Sequence, residues 1–228
     1  MVRIAILNLI DLSPEQGGGE VFGQAIKAWL AGAMPGDDLE VIEVATGTPV
    51  PEVGDYDGFV LGGSEKGVYD PTPWMAPLRA LLLDARARRL PVFGICFGHQ
   101  LMADTFGGKA ELHDQGEVVG TRRFHAGGRA IDAYVWHQDQ VTKVPPGARV
   151  VGGADYCPVG ILAYDFPALS VQFHPEYTRE ILSTAIARNQ GFNQSPEITK
   201  ARLASVAAGA VPVDLMAKEA AELLRGRA

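Results

Sequence analysis

The sequence predicts an α/β fold built on a doubly wound, mostly parallel sheet with helices on both faces and a small antiparallel addition. Three observations point there. Short apolar runs rich in Val, Ile and Phe recur along the chain between turn residues, as expected of strands buried on both faces. Longer stretches with helical spacing of apolar residues separate them. Alternation of the two requires crossover connections, and these belong to parallel sheets.

The expected strands are, in order, Val2–Leu7, Leu39–Val44, Gly58–Leu61, Leu90–Ile95 and Ala168–Phe173. The expected helices between them are Glu20–Ala31, Trp74–Arg88 and His99–Phe106, the last stopping at Gly107-Gly108 as a helix C-terminus does. From Glu117 to Val151 the segments are shorter and alternate, Ala130–Trp136 most clearly, which predicts antiparallel strands on one side of the sheet. A helix is expected to start near Tyr177. Ser195-Pro196-Glu197 then offers an N-cap, a proline at the first helical position and an acidic first turn, and a final helix follows Asp214. No repeat or linker divides the chain, so one domain is expected over residues 1–228, with the helices of 195–228 as an appendage.

Composition removes several function classes. A net charge of −7 with no compensating basic stripe disfavours phosphate backbones and anionic lipid, so no nucleic-acid partner is expected. The densest basic cluster, Arg86, Arg88 and Arg89, reads as the solvated end of a helix. The only cysteines, Cys96 and Cys157, sit in dissimilar settings, which fits a reducing compartment and hence a cytoplasmic location. Met1–Leu7 is shorter than a signal-peptide core, and no run approaches the roughly 18 apolar residues of a membrane helix.

Two ligand motifs fail on inspection. Gly17-Gly18-Gly19-Glu20-Val21-Phe22-Gly23 precedes a helix, but Phe22 takes the third-glycine position of a dinucleotide fingerprint and the preceding strand ends too early; a flexible loop is the better reading. Gly62 and Gly67 have the glycine spacing of a phosphate-binding loop, yet Val68 stands where lysine is required. The histidines His99, His113, His125 and His137 show no metal-ligand spacing, so no metal site is expected; His99 reads as packing or bonding locally after the turn at Cys96.

The chemistry concentrates in two segments. Gly94-Ile95-Cys96-Phe97-Gly98-His99-Gln100 sets a cysteine between glycines, directly after a buried strand and before a helix, the cysteine form of a nucleophile elbow. The sharp turn exposes the side chain, and the helix N-terminus favours a thiolate there. A lone cysteine in a fold is more often a small buried hydrophobe, the reading kept for Cys157. An amidase thiolate needs a base and a group that orients the base. Ser170-Val171-Gln172-Phe173-His174-Pro175-Glu176 supplies both: Pro175 keeps the segment extended, so His174 and Glu176 can point to the same side. Alone, His174 would read as a strand-end histidine before a helix; Cys96 changes that. Oxyanion donors are expected from the backbone N–H of Phe97 and from a neighbouring loop, for which Gly62-Gly63 is a candidate, a simple turn being the alternative.

These residues resemble the class I (triad) glutamine amidotransferase family, whose elbow pattern G-[IV]-C-x-G-H-Q appears at Gly94–Gln100 and whose H-P-E appears at His174-Pro175-Glu176. Trp136-His137-Gln138-Asp139-Gln140-Val141, Pro145-Pro146-Gly147 and the stretch Gly62–Asp70 followed by Trp74 are similar to its GMP-synthase-like branch, which includes stand-alone γ-glutamyl peptidases. The likeness covers roughly residues 40–180. It implies a flavodoxin-like sheet, Cys96 as nucleophile, His174 as general acid/base and Glu176 as its orienter. It also implies Gly63 and Phe97 as the oxyanion-hole backbone, and Gly62 and Gln100 as contacts to the substrate. The implied substrate is glutamine or a γ-glutamyl compound, attacked at the γ-carboxamide through a thioester, with no cofactor. A stand-alone amidase is the first reading; since these 228 residues contain no ATP-binding motif, a glutaminase subunit that supplies ammonia to a separate synthetase is the alternative, and a non-catalytic binding or regulatory protein of the same fold is a third.

Overall fold

The computed structural model describes residues 1–13, 18–114, 116–190 and 194–226; Gly17 of the glycine-rich stretch lies outside them. Strands β1 (Arg3–Asn8), β2 (Asp38–Glu43), β3 (Gly58–Leu61), β4 (Val92–Ile95) and β11 (Ala168–Val171) form the parallel part of a nine-stranded sheet. The order is β2-β1-β3-β4-β11-β10-β9-β6-β7, so the antiparallel strands β10 (Cys157–Tyr164), β9 (Ala148–Ala154), β6 (Val118–Ala126) and β7 (Arg129–His137) extend one side. A separate two-stranded sheet pairs β5 (Lys109–Leu112) with β8 (Asp139–Lys143).

Strand alternation explains why the central runs Ile4–Leu7, Phe59–Leu61 and Val92–Phe93 are apolar at every position. Ile4, Ile6, Val60, Phe93 and Ile95 pack with Ile26, Trp29 and Leu30 of α1 (Glu20–Ala31) on one face. Ala5, Leu7, Phe59, Leu61 and Val92 pack on the other, with Leu78, Leu81 and Leu82 of α2 (Met75–Arg88) and Leu101 and Met102 of α3 (Phe97–Thr105). Both faces are covered, so neither set can be polar. Each fully buried Phe, Leu or Ile contributes about 1.5–3 kcal/mol relative to exposure.

Helix α4 (Arg179–Arg188) starts at Thr178, whose hydroxyl accepts the Ile181 N–H at 3.2 Å. Helix α5 (Pro196–Ala208) starts at Ser195, which accepts from Ile198 N–H at 3.4 Å, with Pro196 at the first helical position. Each cap is worth about 1 kcal/mol. Within the described residues 195–226, the helices pack on the rest of the chain. Helix α6 (Ala217–Leu224) buries Ala220, Ala221 and Leu224 in the same cluster as α1, and the Trp29 indole N–H donates to the Leu215 carbonyl at 3.0 Å. Arg225 closes the contact on Asp37 at 2.8 Å. Among the described residues no helix is long and apolar enough to cross a membrane.

Candidate active site

Cys96 ends β4 and caps α3, with φ 53° and ψ −103°, a conformation in which an L residue is strained. Its amide donates to the Val171 carbonyl at 2.8 Å, tying the turn to β11. The flanking glycines are required by close approach. A Cβ on Gly94 would stand 2.6 Å from the Met102 sulfur, and one on Gly98 2.5 Å from the Leu61 carbonyl oxygen. The helix therefore begins at Phe97, two residues before the periodicity indicates, because the turn itself is the cap.

His174 reaches Cys96 from the neighbouring strand end. The segment after β11 is not extended as expected. His174 N–H pairs with the Tyr134 carbonyl at 2.8 Å on β7, and Tyr177 N–H returns to the His174 carbonyl at 3.4 Å, so Pro175 and Glu176 lie in a turn. That turn carries the Glu176 carboxylate onto the imidazole, with Nδ1 to Oε1 at 2.7 Å. Both side chains are buried. Burial opposes charge on His174, but Glu176 and Cys96 outweigh it and raise its pKa to about 10. Its Nε2, on the side of Cys96 and Gly63, has no hydrogen-bond partner among the described residues. Tyr177, which no motif singles out, stacks on the imidazole with ring centroids 4.0 Å apart and planes 7° from parallel.

Gly62 and Gly63 follow β3 and face the elbow. Gly62 donates to the Leu7 carbonyl and accepts from Gly98 N–H, both at 3.1 Å, so its backbone joins sheet to helix. A Cβ on Gly63 would stand 3.1 Å from His174 Cε1, which places its backbone beside the imidazole. Phe97 opens α3, where a first-turn amide has no intrahelical acceptor. Gln100 lines the same cavity, but both protons of its amide nitrogen are engaged, with the Asp139 carbonyl at 2.9 Å and Gln172 Oε1 at 3.3 Å. Sequence reasoning missed Gln172, whose Nε2 approaches Cys96 Sγ at 3.7 Å, and the Trp136 carbonyl, which receives the Cys96 thiol at 3.5 Å.

The remaining histidines of the core are neutral. Burial lowers His99 to about 4; its ring bonds not locally but to Ser170 Oγ at 2.7 Å and the Val159 carbonyl at 3.0 Å, on strands distant in sequence. Burial lowers His137 to about 3, between the Asp139 carbonyl and the Tyr156 hydroxyl. Burial raises the Cys157 thiol to about 12, which leaves it unreactive as a nucleophile. Among the described residues no group of three or more His, Cys, Asp or Glu is placed to hold a metal ion.

Cys96, Gly63, Gln100 and His174 line a cavity of about 450 Å³ at the carboxyl ends of β3, β4 and β11, where open α/β sheets take their ligands. Its lining also includes the aromatic Phe22, Trp136 and Tyr177 and the ionisable Glu65, Lys66 and Asp139. Fold and site together define a class: doubly wound α/β proteins with a Cys-His-Glu cluster at the carboxyl edge of the sheet. The family model described as glutamine amidotransferase class-I matches residues 22–194, and the chain belongs to that family of enzymes.

Among its relatives, a GMP synthase (glutamine-hydrolyzing) of Azoarcus sp. (strain BH72) is 34% identical over 141 residues, covering 54% of this chain and 26% of its own length. Gamma-glutamyl peptidase 2 of Arabidopsis thaliana is 30% identical over 145 residues, 58% of either chain. The chain thus spans less than two thirds of these relatives. The crystal structure of a glutamine amidotransferase from Methylobacillus flagellatus shares the fold, with a TM-score of 0.72 at 23% identity over 99% of this chain and 93% of that one.

Proposed function

We propose that this protein hydrolyses the γ-carboxamide of glutamine or of a γ-glutamyl amide through a thioester on Cys96, releasing glutamate and ammonia or an amine. The observation that carries the reading is the convergence, in one cavity, of a strained cysteine with an imidazole whose far nitrogen is held by a buried carboxylate at 2.7 Å.

Cys96 sulfur attacks the amide carbon, and the carbonyl oxygen takes up negative charge. Backbone N–H groups of Phe97 and Gly63 receive that charge; each such donor is worth roughly 3–4 kcal/mol in the transition state. His174, protonated at neutral pH by its raised pKa, gives its Nε2 proton to the leaving nitrogen as the C–N bond breaks. Water then attacks the thioester, His174 takes its proton, and the C–S bond breaks to free glutamate. Glu176 keeps Nδ1 protonated throughout, so that Nε2 is the nitrogen that exchanges protons. A reducing, cytoplasmic setting suits the free thiol.

A second reading rests on the GMP synthase relatives, of which the matched region is a quarter. In it the chain supplies ammonia to a separate synthetase. Purified chain, incubated with glutamine and a panel of γ-glutamyl amides, is expected to release glutamate at several turnovers per minute or more, and Cys96→Ala to abolish it. Activity appearing only with a partner would favour the second reading; undiminished activity in Cys96→Ala would remove both.

A further inference from the structure

Three buried amide and carbonyl groups in series fix how the nucleophile is held. The Asp139 carbonyl can only accept, so the side-chain amide beside it must be turned with its nitrogen inward: Gln100 donates there at 2.9 Å. The second proton of that nitrogen points at Gln172, which must answer with its oxygen, at 3.3 Å. The orientation of Gln172 follows, and its own nitrogen faces Cys96 Sγ at 3.7 Å. Flipping any member would set two donors, or two acceptors, against each other in a dry interior. Gln100 and Gln172 are 3% and 0% exposed, so water cannot substitute for a lost partner.

The sulfur also faces the His174 imidazole, and it contacts the Trp136 carbonyl at 3.5 Å. A carbonyl oxygen suits a thiol, which can donate to it, and repels a thiolate. An N–H does the reverse. We propose that Gln172 is a positioning residue for the nucleophile: its buried N–H, oriented by Gln100 and the Asp139 carbonyl, holds the Cys96 sulfur as an acceptor in the attacking form. Gln100 then acts through Gln172 rather than by donating to substrate. The proposal rests on the amidase reading only in calling the sulfur a nucleophile.

Two substitutions separate this from a packing role. Gln172→Met keeps the length and approximate volume but has no N–H. Gln172→Glu keeps an oxygen for Gln100 and replaces the N–H by an anionic oxygen, which donates only when protonated. The readout is the rate at which iodoacetamide alkylates Cys96, located by peptide mass, between pH 5 and 9, with kcat and KM measured alongside. Alkylation needs no substrate, so it is decided even if the wild type hydrolyses no γ-glutamyl compound. Expected is a fall of about tenfold or more in alkylation rate at pH 7 for both variants. KM should change little while kcat falls, and Gln172→Glu should recover relative to Gln172→Met as pH is lowered. Wild-type alkylation rates in either folded variant, judged by an unchanged circular dichroism spectrum, would overturn the proposal. So would equal losses in both variants with no relative recovery of Gln172→Glu at low pH.

Discussion

At the scale of single residues, the Cys96, His174 and Glu176 cluster was legible because its members carry local marks: glycines on both sides of the cysteine, and a proline between histidine and glutamate. Gln172 and Tyr177 lay within or beside the same motifs and carried no such mark. What makes them part of the site is the meeting of β11 with the elbow and of Tyr177 with the imidazole, and neither is encoded in spacing. The His174 pair also makes a prediction for stability. Its folded pKa, about 10, lies above the ordinary histidine value of roughly 6.5, so the folded state binds the proton more tightly than the unfolded chain does. That contribution is complete below about pH 6.5 and is lost as pH rises toward 10. Glu176→Gln removes the neighbouring charge that sustains the shift. The melting temperature of the wild type should therefore fall more steeply across this window than that of Glu176→Gln; parallel curves would contradict the assignment of the proton to His174.

At the scale of elements, the parallel strands were readable from apolar runs alone, since burial on both faces leaves no alternation to confuse them with anything else. Strands β5 and β10 were not. Strand β10 contains Pro158 and Gly160 and shifts register against β9, and β5 is four residues pairing with β8 outside the main sheet. The turn after β11 is not legible in the sequence, because proline forbids a helix start before it but does not forbid a turn after it. The element most sensitive to a single atom is the elbow. In Gly98→Ala the new methyl would meet the Leu61 carbonyl oxygen at 2.5 Å, backbone that cannot rotate away. A loss of about 1–3 kcal/mol is expected from such overpacking, read as a lower urea midpoint with an unchanged slope. An unaltered midpoint would show that α3 can slide on β3, and with it the elbow.

At the scale of the whole molecule, the surprise is how the last helix is used. Chain order suggested something added after the sheet was complete, yet α6 packs under β4 and β11, the two strands that present Cys96 and His174. Sequence could not show this, because an eight-residue helix rich in alanine reads alike whether its apolar stripe meets a sheet or solvent. Leu224, 1% exposed, gives the test. Leu224→Ala is expected to cost about 2–5 kcal/mol. Val213→Ala, at a position 77% exposed, is expected to stay within about 0.5 kcal/mol. Similar denaturant midpoints for the two variants would mean that α6 contributes nothing to the core.

The stacking of Tyr177 on His174 has a magnetic side. A phenol ring lying face-on 4.0 Å from the imidazole places the protons of that ring in its shielding cone. The imidazole proposed above to transfer protons thus carries a built-in label, its resonances set apart from those of the exposed His125. The same label would vanish with any motion that parts the two rings, which makes the integrity of the site visible without a substrate.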